Sequence, residues 1–283
     1  MGSDVINMEF KNTRTINNLD LKQIAESGQC FRWEEVDEST FLIPGESYEC
    51  RDREPLLIRQ KGNSFDVSCS DEEWDSYWRV YLDLNTDYEA IGRLIMNSGD
   101  DHVKECYELG SGIRILKQDL WEMIITFLIS QNNNIGRITG SVKKLCNICG
   151  HFPYPGDIDI ACLENRELGL GYRVKFLQDM YLYGQEHPEL LSLLPKLSYA
   201  EAMEELVKRN GIGPKVANCV CLFGLHHVEA FPVDTHVRQL LDKYYPSGFD
   251  YGYYGSKAGI IQQYLFYYEL KHKGNRGGNY HSD

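Results

Sequence analysis

The chain has no apolar run long enough to cross a bilayer. Its longest, MIITFLI at 123 to 129, falls far short of the roughly 20 residues a spanning helix needs. The opening residues, MGSDVINMEFKN, lack the apolar stretch and small-residue cleavage site of a secretory signal. The expectation is therefore a mature intracellular protein, cytoplasmic or at the nucleoid, with no membrane partner and with Gly2 and Ser3 as a cloning remnant. The nine cysteines are odd in number and lack the spacing of a disulfide framework, which suits a reducing compartment. Cys146 and Cys149 form a CxxC without a second pair, so they read as two helical core cysteines and no metal ligand set is expected. Neither a GxxxxGK loop nor a strand-led GxGxxG is present to cradle a nucleotide. Positive charge is scarce as well. The net charge of −13 argues at first against a nucleic-acid partner, because phosphate neutralisation supplies most sequence-independent affinity. The deficit is uneven, however. Residues 1 to 100 hold 10 Lys and Arg against 21 Asp and Glu, and the remainder holds 19 against 21, so a positive face on the later part stays open.

What is present has the balance of a globular protein, with 42% hydrophobic and 25% charged residues in 283, enough for two or three packed subdomains. In the first hundred residues CFRWEEV, TFLIPGE, PLLIRQ and SFDVSC are β-rich segments broken by turn residues, and they predict an antiparallel sheet. WDSYWRVYLDL then leads into DYEAIGRLIMNSG, which carries helical spacing. From about residue 111 seven helix-length segments follow: QDLWEMIITFLISQ, NIGRITGSVKKLCNICG, RVKFLQDMYLYGQE, SYAEAMEELVKRN, PKVANCVCLFGL, THVRQLLDKYY and SKAGIIQQYLFYYELK. The predicted class is α+β, with an N-terminal antiparallel sheet subdomain over 1–110 and a mostly helical domain over 111–283. GNRGGNYHSD, at the end, has too little apolar content to pack and reads as a frayed tail.

One stretch of the helical half carries chemistry. In EAMEELVKRNGIGPKVANC a helix ends, Gly211 and Gly213 permit a tight turn, Pro214 suits a first helical position, and a second helix begins, which together make a helix-hairpin-helix over about 204–224. Its glycines leave amides unobstructed at a helix N-terminus, where phosphate oxygens bind well. A plain αα-corner would look the same. Lys215 falls in the first turn of the second helix, which suits an amine nucleophile, although by position alone a solvated or phosphate-binding lysine is the commoner role. Asp234 follows Pro232 and heads THVRQLLDKYY, an N-cap position; a capping carboxylate beside a cleft also stabilises positive charge developing at a sugar.

GIGPKVANC followed by FPVDTH resembles the signature of the helix-hairpin-helix, Gly/Pro-Asp DNA glycosylase superfamily, and within it the 8-oxoguanine DNA glycosylase family. SGQCFRW at 27 to 33, SQNNNIGRITG at 130 to 140, GLGYR at 169 to 173 and AGIIQQYLF at 258 to 266 agree with that family in order and spacing, so the resemblance spans nearly the whole chain. It implies a bifunctional DNA glycosylase and lyase of base excision repair. Such an enzyme acts as a monomer without a cofactor on double-stranded DNA containing an oxidised guanine opposite cytosine, and extrudes the damaged base from the stack. Lys215 is then the nucleophile that displaces the base and forms an imine, which permits β-elimination, and Asp234 supports the cationic sugar. Gly28 offers a backbone carbonyl to N7, a donor in oxidised guanine and an acceptor in guanine, a discrimination of roughly 1–3 kcal/mol. Cys219 and Phe266 sandwich the flipped base, Gln262 reads its Watson–Crick edge, and Pro232 belongs to the same pocket. Asn132, Arg137 and Arg173 hold the orphaned cytosine, Tyr172 is the wedge that fills the gap, and Gly211, Gly213 and His236 contact phosphate.

The chain departs from the family in three respects. The hairpin's usual Leu-Pro is Arg209-Asn210, Asn218 stands where many members have aspartate, and the chain is compact beside eukaryotic members, which implies a prokaryotic form. An iron-sulfur glycosylase is disfavoured because no cysteine follows Cys221. The remaining alternatives are an alkylated-base glycosylase, which shares the aspartate but generally lacks the lysine, and a non-catalytic scaffold that uses the hairpin only to bind DNA.

Overall fold

The computed structural model describes residues 8 to 274, so Gly2, Ser3 and the terminal segment beyond Gly274 lie outside the described residues. The first layer is a five-stranded antiparallel sheet in the order β1-β5-β4-β3-β2. Its elements are β1 (Asn12–Thr15), α1 (Leu21–Glu26), β2 (Glu34–Asp37), β3 (Thr40–Ile43), β4 (Leu56–Lys61) and β5 (Ser64–Val67). The registers Phe41↔Ile58 and Ile58↔Val67 bring successive apolar residues to one face. There Phe41, Ile43, Leu56, Ile58, Phe65 and Val67 pack on Leu21 and Ile24 of α1 and on Trp74 and Trp78. The two tryptophans come from a π-helical turn (Trp74–Trp78) between α2 (Asp71–Glu73) and α3 (Arg79–Tyr81).

Helices follow from there to the end: α4 (Tyr88–Met96), α5 (Asp101–Gly110), α6 (Leu120–Ile129), α7 (Ile135–Cys146), α8 (Val174–Glu186), α9 (Leu190–Leu193), α10 (Tyr199–Leu206), α11 (Pro214–Phe223), α12 (Thr235–Tyr244), α13 (Tyr251–Tyr254) and α14 (Ala258–Gly274). The predicted α+β class is what is observed, and each of the seven predicted helical segments contains a helix. Among the elements that were not anticipated are β1, the polar tetrapeptide NTRT, and α5, which packs on α14 through the Tyr107–Tyr264 ring contact and the Tyr268 hydroxyl bond to Glu105. The CxxC cysteines are free, with Cys146 ending α7 in the core and Cys149 in the turn after it.

α6 is the axis of the helical layer. Every residue of LWEMIITFLI except the half-buried Leu120 is buried, as expected of a helix that is apolar all round. Phe127 stacks on Phe223 of α11 with ring centroids 5.4 Å apart. The one charge on α6, Glu122, is joined at 2.9 Å to Arg32, which also pairs with Glu46 and so ties the sheet layer to the axis. Burial raises the Glu122 carboxyl above its ordinary range, and Arg32 works against that rise. α6 ends at Ile129, where Ser130 starts the SQNNN segment, and α11 lies against it with the hairpin lysine.

Candidate active site

The hairpin is built by two sharply different helix ends. α10 starts on a capping box in which Ser198 and Glu201 exchange side-chain and backbone bonds. It stops after Leu206, and the chain turns through Gly211 at φ +81, a region that L side chains rarely adopt. A Cβ on Gly211 would also lie 2.4 Å from Cγ of Phe176 on α8, so glycine is required there twice over. Gly213 is the N-cap of α11 with ordinary extended backbone, and a Cβ built on it meets nothing within 4 Å. Arg209 covers Tyr183 with its guanidinium 4.0 Å from the ring centroid, and Asn210 bonds Asp179, so the residues replacing Leu-Pro fasten the turn to α8.

Lys215 projects from the first turn of α11 toward the end of α6. Its Nζ donates to Ser130 Oγ at 3.3 Å and lies 5.7 Å from the Phe127 ring centroid. Ser130 Oγ spends its own proton on the Phe127 carbonyl at 2.8 Å, which leaves it an acceptor for the lysine. One turn along α11, Cys219 is buried. Burial pushes its thiol pKa up, the Lys215 charge opposes that rise, and Asp234 adds to it, so both charges bear on one sulfur. Asp234 is the N-cap of α12 and accepts from the Val237 amide at 2.8 Å; His236 sits half-buried in the same first turn and Pro232 is buried just before it. The second carboxylate expected of many relatives is absent here. In its place Asn218 accepts from Tyr199 Oη at 2.7 Å and donates to the Pro214 carbonyl at 2.8 Å, stitching the two hairpin helices together.

α14 forms another wall. Gln262 and Phe266, four residues apart, share a face. Gly28, at φ +75, approaches that face so closely that a Cβ on it would lie 3.0 Å from Phe266 and 3.3 Å from Ile135. Gln262 is 4% exposed, and its Oε1 has no hydrogen-bond partner among the described residues. Such an acceptor costs about 1–3 kcal/mol to bury, an expense that makes sense where a ligand brings a donor.

The remaining predicted residues gather around the segment after α6. Tyr172 is 53% exposed, its hydroxyl 3.3 Å from Asn132 Nδ2 and from the Gln131 carbonyl. Its ring meets Phe176 edge-on at 6.1 Å, so Phe176 touches both this tyrosine and the hairpin glycine. Asn132 is exposed with φ +45, and Arg137 is exposed on the first turn of α7. Arg173 differs from the expectation of a free donor. It is 7% exposed and its guanidinium donates to the carbonyls of Gln131, Asn132 at 2.9 Å and Leu170 at 3.3 Å. Burial lowers its pKa, Tyr172 opposes that, and nearby Arg137 lowers it further. Sequence reasoning assigned no role to Ser130, Phe127 or Phe176. Ser130 heads a motif already singled out, whereas Phe176 carries no local signal. Among the described residues, no cluster of His, Cys, Asp or Glu could hold a metal ion.

Residues 12–124 match the family model for the 8-oxoguanine DNA glycosylase, N-terminal domain. The whole fold superposes on the 8-oxoguanine glycosylase/lyase of Clostridium acetobutylicum, a structure with double-stranded DNA containing cytosine opposite 8-oxoguanine, with a TM-score of 0.78 and 30% identity, covering 94% of this chain and 100% of that one. The chain belongs to the 8-oxoguanine DNA glycosylase family. Its similarity extends to the N-glycosylase/DNA lyase of Saccharomyces cerevisiae, 36% identical over 47% of this chain, and to the N-glycosylase/DNA lyase OGG1 of Arabidopsis thaliana, 38% identical over 47%. The matched stretches span 42% and 41% of those two proteins' lengths. Within the glycosylase family fold, Lys215, Asp234, Cys219, Gln262, Phe266 and Gly28 lie on α11, α12, α14 and the turn after α1, while Asn132, Arg137, Tyr172 and Arg173 form a separate group beside the hairpin.

Proposed function

We propose that this family member is a bifunctional DNA glycosylase and AP lyase that excises 8-oxoguanine, preferentially opposite cytosine, from double-stranded DNA. The observation that carries the reading is Lys215 in the first turn of the hairpin's second helix, its Nζ held by Ser130 Oγ at the end of α6, with Asp234 capping the next helix. Lys215 gives its ammonium proton to the departing base, and its neutral Nζ attacks C1′ as the C1′–N9 bond breaks and the base leaves with the electron pair. The resulting secondary ammonium passes a proton to the ring oxygen. Asp234 stabilises the positive charge that builds on the sugar. The amine then expels the ring oxygen to give a protonated imine, loss of a C2′ proton forms a C=C bond, and the C3′–O bond breaks with the 3′ phosphate as leaving group. An enzyme that used water alone would have no use for the lysine.

The flipped base sits between Cys219 and Phe266, with Gln262 on its Watson–Crick edge, the Gly28 carbonyl on N7–H and Pro232 closing the pocket. The unpartnered Gln262 Oε1 supports this, since the N–H donors of a guanine edge would satisfy it. Asn132 and Arg137 face the orphaned cytosine, Arg173 shapes the segment that carries Asn132, Tyr172 fills the gap, and the Gly211, Gly213 and His236 region takes the phosphates.

The test is borohydride trapping on a duplex with 8-oxoguanine opposite cytosine. Wild type is expected to crosslink, and Lys215→Gln to bind the lesion without crosslinking. Failure of wild type to trap, as a non-catalytic DNA-binding scaffold would, or a crosslink that survives Lys215→Gln, overturns the assignment.

A further inference from the structure

We infer that Gln263 is a positioning residue for discrimination of the oxidised base: by holding the Ser27 carbonyl from α14, it fixes the peptide that aims the Gly28 carbonyl. The inference rests on the reading of Gly28 given above and adds to it a residue outside the base pocket.

The turn Ser27-Gly28-Gln29 has an inherent weakness. Glycine at φ +75 is the most permissive residue in the chain, yet a carbonyl that tells a donor from an acceptor must be held within about 0.5 Å and 10–20°. On its Cβ side Gly28 is restrained by packing against Phe266 and Ile135. The polar ties do the rest. Ser27 Oγ donates to the Ile24 carbonyl at 2.7 Å and accepts from Gln29 Nε2 at 2.9 Å. Gln29 also donates to the Arg114 carbonyl at 3.0 Å and accepts from the Leu116 amide at 2.9 Å, while its own carbonyl takes a bond from Gln118 Nε2 at 2.9 Å. These bonds fix the turn at Gln29 and at the Ser27 side chain. The Ser27–Gly28 peptide itself is held by one side chain, Gln263, whose Nε2 donates to the Ser27 carbonyl.

Gln263 is 2% exposed, and both Ser27 and Gln29 are fully buried, so water does not substitute for the bond. Gln263 and Phe266 are three residues apart and therefore share a helix face. The same face presses an aromatic edge onto Gly28 and a donor onto the peptide before it. The neighbouring Gln262 keeps an unpartnered Oε1, so on the reading given above α14 uses adjacent glutamines for two tasks: one reads the base and the other sets the turn that reads it.

The test uses Gln263→Met, which keeps length and removes the donor, in a Lys215→Gln background. Binding is measured to two duplexes opposite cytosine, one with 8-oxoguanine and one with its analogue in which N7–H is replaced by CH2. Cleavage of a preformed abasic site by the Gln263→Met single variant, which needs no base, serves as the control for folding. The Lys215→Gln parent is expected to bind the analogue on the order of tenfold more weakly. Adding Gln263→Met is expected to shrink that ratio to about twofold, through weaker binding of 8-oxoguanine, with abasic cleavage unchanged. A ratio that stays at the parent's value, or a uniform loss on both duplexes, overturns the role of Gln263. A parent that binds both duplexes equally would instead sink the reading of Gly28. Should the methionine variant lose abasic cleavage, Gln263→Glu, which sets an acceptor against the Ser27 carbonyl, is read in the same way.

Discussion

Gly211 and Gly213 sit two residues apart in one loop, and the structure gives them opposite sensitivities to a single methyl group. At Gly211 an alanine must hold φ +81, a left-handed conformation that costs an L residue about 1–2 kcal/mol. Its Cβ would also press on Cβ, Cγ and Cδ2 of Phe176 at 2.4–2.8 Å. Those atoms are the root of the side chain and cannot swing away, so an overpacking cost of about 1–3 kcal/mol adds to the first. Gly211→Ala should therefore lose about 2–5 kcal/mol, a fall in Tm on the order of 5–15 °C for a chain of this size. At Gly213 the backbone (φ −88, ψ 178) suits alanine and no atom lies within 4 Å. The loss of unfolded-state freedom favours Gly213→Ala by about 0.4–1 kcal/mol, and the poorer N-cap offsets most of that, leaving Tm within about 2 °C of wild type. The methyl then matters only to something approaching from outside. If a phosphate oxygen docks on the α11 amides, displacing it forfeits a charge-assisted hydrogen bond of about 1.5–3 kcal/mol, tenfold or more in affinity. That loss should be equal for all four bases opposite the lesion, since backbone contacts carry no sequence information. Circular dichroism melts and fluorescence anisotropy at one salt concentration measure both quantities. Wild-type affinity in Gly213→Ala would refute phosphate docking at this helix start, and an unchanged Tm in Gly211→Ala would refute the argument from Phe176.

Asp234→Asn keeps a side chain able to cap α12 while removing the charge, so melting should change little and single-turnover base release should slow; wild-type rates in a folded variant would show the carboxylate charge to be unnecessary. Arg137→Ala, at an exposed position, should narrow the preference for cytosine over adenine without lowering Tm. Arg173→Ala instead strips donors from the Gln131, Asn132 and Leu170 carbonyls and should lower both Tm and cleavage opposite every base; equal effects of the two variants would contradict the burial difference. Hydrogen bonds from Arg59, then Thr13 and Lys61, bring the Asp66 pKa down to about 2, so its contribution is present above the ordinary carboxylate pKa of about 3.9 and fades as pH falls toward 2. Asp66→Asn should accordingly lie furthest below wild type near pH 5 and approach it near pH 2 in melting curves, and a gap that stays constant would remove Asp66 from the acid response.

The parts of the site that were legible in the sequence are those whose signal lies within a few residues. The hairpin follows from two glycines and a proline at fixed offsets, the Asp234 cap from its place before a periodic helix, and α6 from a helix-length segment that is apolar but for Glu122 and Thr126. β1 was missed because NTRT has no apolar alternation of its own; it becomes a strand only by pairing along β5, from Asn12↔Val67 to Thr15↔Ser64. Contacts between distant segments were equally invisible. Gly211 needs glycine partly because of Phe176, 35 positions earlier, and nothing near either residue announces the other. Arg173 shows that a motif gives a residue's place and not its surroundings. Its place beside Tyr172 follows from GLGYR, but whether its guanidinium stays exposed or bonds its own backbone depends on burial, which a five-residue motif does not encode. The same holds for adjacent glutamines on α14, where a rotation of about 100° per residue separates Gln262, whose Oε1 is unpartnered, from Gln263, which donates to the Ser27 carbonyl. The motif residues therefore identify which groups make up the candidate site, while the contacts that hold them come from residues such as Phe176, Ser130 and Gln263 that only the packed fold assembles.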